Sequence, residues 1–276
     1  MTRALVLGGG AGIAAPWEAG LIEGFRRAGT DLGTADLIVG TAWGSFVGAC
    51  LAAGADLNRA MDDVFAADRA QRGPAGNDLL LDKVLRLLSD RSVPRRTRRQ
   101  RIGEITRRPE VVARAHRLDL IIDCLPVREW PVRPLRLAAV DADSGDRVVW
   151  DRHSGVPLAP AVRASASWPS EFPPTEIDGR RYMDGGMFSA TNADLAHGCD
   201  RLVVLSPMRH VVPARTLDRE LASLGDVDVT VIGPDQITVD LFTLTLSEPN
   251  IPESAYEAGL RQAADEAEKI NATWED

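Results

Sequence analysis

Asp36-Leu37-Ile38-Val39-Gly40-Thr41-Ala42-Trp43-Gly44-Ser45-Phe46-Val47-Gly48-Ala49-Cys50-Leu51-Ala52-Ala53 holds the pattern that decides the fold. Residues 36–39 are a short apolar run of strand type, and residues 45–53 read as a helix rich in small side chains. Between them, Gly40-Thr41-Ala42-Trp43-Gly44 is a Gly-x-Ser-x-Gly turn in which alanine stands where the pattern has serine. Its glycines let the backbone reverse tightly and hold the central side chain at the start of the helix, where peptide N–H groups face outward. A methyl group in that position cannot attack anything.

The alternation of strand and helix patterns continues along the chain and predicts an α/β protein with a mostly parallel sheet covered by helices. Strands are expected at 3–7, 36–40, 135–141, 147–151, 180–183, 202–205 and 227–232. Helices are expected at 16–28, 44–54, 56–70, 77–89, 109–124, 157–166, 192–196, 214–223 and 252–272. Asp143-Ser144-Gly145 suits the turn of a hairpin. A basic run of Arg91, Arg95, Arg96, Arg98, Arg99 and Arg101 surrounds Pro94. No internal repeat or low-complexity linker divides the chain. One domain over 1–276 is therefore expected, with 56–130 as a helical insertion or lid.

With 276 residues, 45% of them hydrophobic, the chain has enough apolar material for one large core. A net charge of −8 argues against nucleic-acid binding, which needs a basic face. Cys50, Cys124 and Cys199 are odd in number, far apart and not clustered with histidines. They point to a reducing compartment and no zinc site. Arg3 leads directly into Ala4-Leu5-Val6-Leu7, which reads as a buried strand and not a leader peptide. No apolar stretch reaches the roughly 18 residues of a membrane span. A cytoplasmic location is expected.

Four further motifs stand in order around the turn. They are Leu5-Val6-Leu7-Gly8-Gly9-Gly10, Trp17-Glu18-Ala19-Gly20, Ala164-Ser165-Ala166-Ser167-Trp168-Pro169 with Phe172-Pro173-Pro174, and Asp178-Gly179-Arg180-Arg181-Tyr182-Met183-Asp184-Gly185-Gly186. Each alone has an ordinary reading as a connection or a surface turn. Jointly, across about residues 3–207, the chain resembles the bacterial patatin-like phospholipases. The resemblance implies a three-layer α/β/α fold and a Ser-Asp dyad that hydrolyses acyl esters of lipids or transfers the acyl group. It maps the nucleophile onto Ala42 and its partner onto Asp184. The oxyanion donors map onto the backbone around Gly9, Gly10 and Ala11, with the Trp43 amide as a further donor. Gly40, Gly44, Gly185 and Gly186 complete the motifs. No metal or organic cofactor is implied.

The chemistry can also be argued from residue types. A serine hydroxyl is a weak nucleophile until a base accepts its proton. An aspartate becomes an adequate base near neutral pH once a partly desolvated site raises its pKa. His197 and His210 follow Asp184, as a Ser, Asp, His triad would require, but His197-Gly198-Cys199-Asp200 reads as a solvent-facing connection, so the dyad is preferred.

Three features depart from the family pattern. Ala42 has two readings, an enzyme deliberately disabled to trap a ligand and a natural loss; the intact surroundings favour a disabled enzyme. Trp43 replaces a small residue, and with Trp168 and Phe172 it either lines an acyl pocket or belongs to the core. The basic residue usual after the glycine run is missing from Ala11-Gly12-Ile13-Ala14. The expected partner is an acyl-ester or lipid substrate, with transient contact to a membrane surface or acyl carrier through the arginine run, which otherwise is a solvated face. Two alternative functions stay open: a specialised acyltransferase or cyclising enzyme of secondary metabolism, and a catalytically silent lipid-binding or regulatory protein.

Overall fold

Ala4-Leu5-Val6-Leu7, Leu37-Ile38-Val39 and Leu202-Val203-Val204-Leu205 are buried throughout, and such unbroken apolar runs suit strands covered on both faces. The computed structural model describes residues 1–10, 12–71, 78–243 and 251–275. In its first part the elements are β1 (Arg3–Leu7), α1 (Ala14–Arg27), β2 (Leu37–Thr41), α2 (Trp43–Ala52), α3 (Leu57–Gln71), α4 (Asp78–Ser89), α5 (Arg95–Ile105), α6 (Pro109–Val112) and α7 (Ala115–Asp123). There follow β3 (Leu135–Asp141), β4 (Arg147–Trp150), α8 (Leu158–Ser165), β5 (Thr175–Ile177), β6 (Arg180–Asp184), β7 (Arg201–Leu205), α9 (Arg215–Ala222), β8 (Asp228–Ile232), α10 (Gln236–Thr243) and α11 (Ile251–Glu275).

β3, β2, β1, β7 and β8 run parallel in that order, while β4 and β6 run antiparallel to β3 and β5 pairs with β6. Alternate side chains divide the core into layers. Leu5, Leu7, Ile38, Val203 and Leu205 face α1, α2, α8 and α11, whereas Ala4, Val6, Leu37, Val39, Leu202 and Val204 face the opposite way, toward Leu217 of α9. This is the expected α/β/α arrangement. Within 56–130, α3 and α7 join the first layer through Met61, Phe65, Leu118 and Ile122. Leu80, Val84, Ile102 and Val111 instead form a third cluster with Val140 and Met183.

Several elements differ from expectation. The part of the basic run from Arg95 to Arg101 lies in a helix, α5, with Ile102 and Ile105 buried; its many arginines mask the apolar period. The helix expected over 109–124 is split at 113–114 into α6 and α7. Residues 193–196 make only a 3-10 turn, and β5 and α10 were not expected. Among the described residues no helix is long and apolar enough to cross a membrane.

α1 crosses α11 with almost no space between the backbones. A Cβ on Gly20 would lie 2.1 Å from the Tyr256 carbonyl oxygen, and one on Gly259 would lie 2.2 Å from that of Trp17. Alanine ordinarily stabilises a helix interior over glycine by about 1 kcal/mol. Here overpacking of about 1–3 kcal/mol opposes that gain. Gly259→Ala is expected to lower the urea midpoint followed by circular dichroism; an unchanged or raised midpoint would show that the helices separate freely.

Candidate active site

β2 ends at Thr41 and α2 begins at Trp43, leaving Ala42 to make the whole turn with φ 52° and ψ −127°. An L-residue in such a sparsely populated region costs roughly 1–3 kcal/mol and persists only where the surroundings enforce it. The enforcement is visible on both sides. A Cβ on Gly44 would lie 2.5 Å from the Leu7 carbonyl oxygen and 2.7 Å from that of Gly8, so the first turn of α2 is pressed against the end of β1. The Ala42 N–H donates to Ser165 Oγ at 3.0 Å, and that hydroxyl donates to the Ala138 carbonyl at 2.7 Å. The Ala42 carbonyl accepts from Ser45 Oγ at 2.6 Å. Ser165, in a motif whose role the sequence left blank, thus clamps the turn to β3.

The register of β3 brings Asp184 to this turn. Ala138 pairs with both β4 and β2, while Ala139 and Val140 pair with both β4 and β6. A strand has two edges, so β2 and β6 share one edge of β3 and meet end to end. Thr41 is opposite Ala138 and Asp184 is opposite Ala139, a separation along β3 of one residue, about 3.3 Å of rise. Gly185 permits this approach, since a Cβ there would lie 2.2 Å from the Ala138 carbonyl oxygen. Asp184 Oδ1 accepts from the Gly186 N–H at 2.6 Å. Burial pushes the carboxyl up to about 7, and the Gly186 hydrogen bond only partly opposes that rise. The group is thereby poised to exchange a proton near neutral pH.

Asn192, left-handed at φ 51°, holds the segment after Asp184 against β2. Its Nδ2 donates to Thr41 Oγ1 at 3.1 Å and to the Ser189 carbonyl at 2.8 Å, and Thr41 Oγ1 donates to the Thr191 carbonyl at 3.2 Å. Buried Glu220 accepts from Thr191 Oγ1 at 2.6 Å and from the Ala193 N–H at 3.0 Å. Sequence reasoning did not single out Asn192 or Glu220; a polar residue in a left-handed cap position was the available signal.

The glycine loop lies directly over the turn, with the Ala42 Cβ 3.0 Å from where a Gly9 Cβ would stand. The Gly8 N–H donates to the Leu205 carbonyl at 3.0 Å and the Gly9 N–H to the Ala190 carbonyl at 2.6 Å. Neither the Gly10 nor the Trp43 N–H has an acceptor among the described residues. Ala11 lies outside those residues. Trp43 and Phe172 are buried in the first core layer, and Trp168 packs partly buried against it with its Nε1 donating to Ser170 Oγ at 2.7 Å. His197 and His210 are both exposed, and neither is bonded to Asp184 among the described residues. On α1, Glu18 is fully buried with neither carboxyl oxygen hydrogen-bonded among the described residues. Burial holds its carboxyl well above the usual carboxylate range, against a weaker pull from the Gly8 peptide.

A sequence profile of the patatin-like phospholipases matches residues 5–197, a span that contains the glycine loop, the turn, Ser165 and Asp184. The chain belongs to the patatin-like phospholipase family. No curated protein matches the chain. Similar solved structures include VipD from Legionella pneumophila, with a TM-score of 0.48 and 12% identity over 97% of this chain and 66% of that one. Another is the type III effector protein ExoU, with a TM-score of 0.42 and 17% identity over 97% of this chain and 53% of that one. The patatin-like chain thus spans less than two thirds of the length of either.

The Asp184 carboxyl supplies a pH test. Unfolded aspartate titrates near roughly 3.9, below the folded value, so folding takes up a proton between these limits. The neutral acid stabilises the fold most at low pH, and that contribution is lost as pH rises toward 7. Relative to the parent chain, Asp184→Asn is expected to gain stability between about pH 4 and 7, on the order of 4 kcal/mol in all, and to gain nothing further above that range. Urea titrations at pH 5, 6, 7 and 8 measure it; a difference independent of pH would place the carboxylate in contact with solvent.

Proposed function

We propose that this chain is an acyl-ester hydrolase scaffold disarmed at its nucleophile: it retains the site for a lipid acyl ester and lacks the atom that would accept the acyl group. The observation that carries the reading is Ala42, which keeps the strained backbone of a nucleophile turn at the end of β2 although its side chain has no chemistry to perform. A serine at position 42 would place its hydroxyl at the junction of β2 and β6, within the neighbourhood of Asp184. Asp184 would take the hydroxyl proton as the oxygen attacks the ester carbonyl, and would return it to the leaving alcohol as the tetrahedral intermediate collapses to an acyl-enzyme. Water activated by the same carboxylate would then release the acid. The Gly10 and Trp43 N–H groups, without acceptors among the described residues, would stabilise the oxyanion, while Gly9 would contribute only after releasing the Ala190 carbonyl.

In the chain as it stands, the same surroundings support binding without turnover. Ala42→Ser is expected to hydrolyse p-nitrophenyl acyl esters at least roughly 10³-fold above background, and the parent chain and Ala42→Ser combined with Asp184→Asn are expected to remain at background. Added alcohol or amine acceptors would divert the product if the serine form is a transferase. Absence of turnover from the folded serine form, with acyl ligand still bound by the parent, would instead make this a lipid-binding member of the family.

A further inference from the structure

α5 and α9 face each other across a cleft of about 300 Å³ lined by Arg95, Arg99, Phe188, Asp194, Thr216, Arg219, Glu220 and Ser223. Arg95 and Arg99 are one helical turn apart on α5, while Thr216, Arg219, Glu220 and Ser223 follow the i, i+3, i+4, i+7 spacing of one face of α9. Arg95 and Arg99 of α5 thus share the cleft with Arg219 of α9, in a protein whose net charge is −8.

The acidic groups of the cleft are already engaged. Both Asp194 oxygens accept from the Arg147 guanidinium, at 2.7 and 2.6 Å. Glu220 is buried and accepts from Thr191 and Ala193, and burial raises its pKa. Arg95 and Arg219 are exposed and have no acidic partner among the described residues. Arg99 is 9% exposed; its Nε donates to the Gly145 carbonyl at 2.6 Å and its guanidinium lies 4.9 Å from the centroid of the Phe188 ring. Arg147 lies over the same ring at 4.5 Å. Both guanidinia thus contact the one ring, and Arg99 is held at the cleft by this contact and its bond to Gly145. Asp146 favours the charge on Arg99, but its carboxylate is paired to Arg96, and desolvation together with Arg95, Arg98 and Arg96 disfavours it. A dianion in the cleft would relieve that repulsion.

We propose that the α5–α9 cleft is a phosphate monoester site in which Arg95, Arg99 and Arg219 surround the anion, Thr216 Oγ1 donates to it and the Phe188 edge receives the organic part. Planar guanidinia bind phosphate oxygens through paired N–H groups, which suits a three-arginine cleft better than a point-charge site. The cleft contains no residue of the Ala42 turn. Phosphate binding there can therefore be read in the parent chain without any turnover. It lies instead behind the Asp184–Asn192 connection, to which Glu220 is bonded.

The test uses the full chain at low ionic strength. Inorganic phosphate and glycerol 3-phosphate are titrated calorimetrically into the parent, Arg95→Gln/Arg219→Gln and the control Arg91→Gln/Arg101→Gln, each verified as folded by circular dichroism. Flotation with phosphatidylcholine vesicles, with and without phosphatidic acid, distinguishes a lipid headgroup from a soluble ester. The cleft variant is expected to lose at least about tenfold in phosphate affinity, as removal of charged hydrogen bonds predicts, and the control to lose little. Flotation dependent on phosphatidic acid and lost in the cleft variant assigns the headgroup as the source; titration by glycerol 3-phosphate without such flotation assigns a soluble ester. Absence of binding to both probes and vesicles, or an equal loss in the two variants, would overturn the proposal.

Discussion

The active-site end of the sheet depends on the contact between the first turn of α2 and the end of β1, where the Gly44 Cα leaves no room for a side chain beneath the Leu7 and Gly8 carbonyls. Because α2 cannot retreat, the backbone between Thr41 and Trp43 must reverse within one residue, and Ala42 takes the positive φ that this requires. The same contact fixes the glycine loop above the turn. It also sets the height at which β2 ends along β3, leaving the remainder of that edge to β6. The meeting of the elbow with Asp184 is therefore a consequence of strand register, not of any direct bond between the two residues.

Much of this was readable in advance, for a physical reason. Buried parallel strands advertise themselves as apolar runs, and close backbone approaches require glycine, so the elements and motifs that depend on those two rules stand out in the sequence. Elements that depend on neither were missed. α5 buries only a short apolar edge among arginines, β5 spans three residues, and α10 spans eight, its start capped by the Asp235 carboxylate. Ser165 accepts from the Ala42 N–H and Asn192 donates to the Thr41 hydroxyl, both more than a hundred residues away, and these partners exist only once the sheet has formed. The aromatic residues illustrate the reverse case. Trp43 and Phe172 read equally as pocket or core from the sequence, and both are buried in the first core layer.

The family assignment and the state of the site bear on different questions. Shared motifs from the glycine loop through Asp184 account for the architecture, and a patatin-like architecture with alanine at the elbow is compatible with several functions. What the geometry adds is the ordered arrangement around Ala42. The turn remains strained, Asp184 remains buried, and the peptide N–H groups of Gly10 and Trp43 remain without acceptors among the described residues. The Gly9 amide is the exception, closed onto Ala190.

Glu18 and Asp184 together give the fold an unusual thermodynamic signature. Both carboxyls are held in the interior with their proton affinity raised, so the chain takes up protons from solvent as it folds near neutral pH. The heat of unfolding then contains the ionisation heat of whatever buffer receives those protons. Calorimetric enthalpies measured in phosphate and in Tris will differ for the same transition, and the difference counts the acids that the interior keeps neutral.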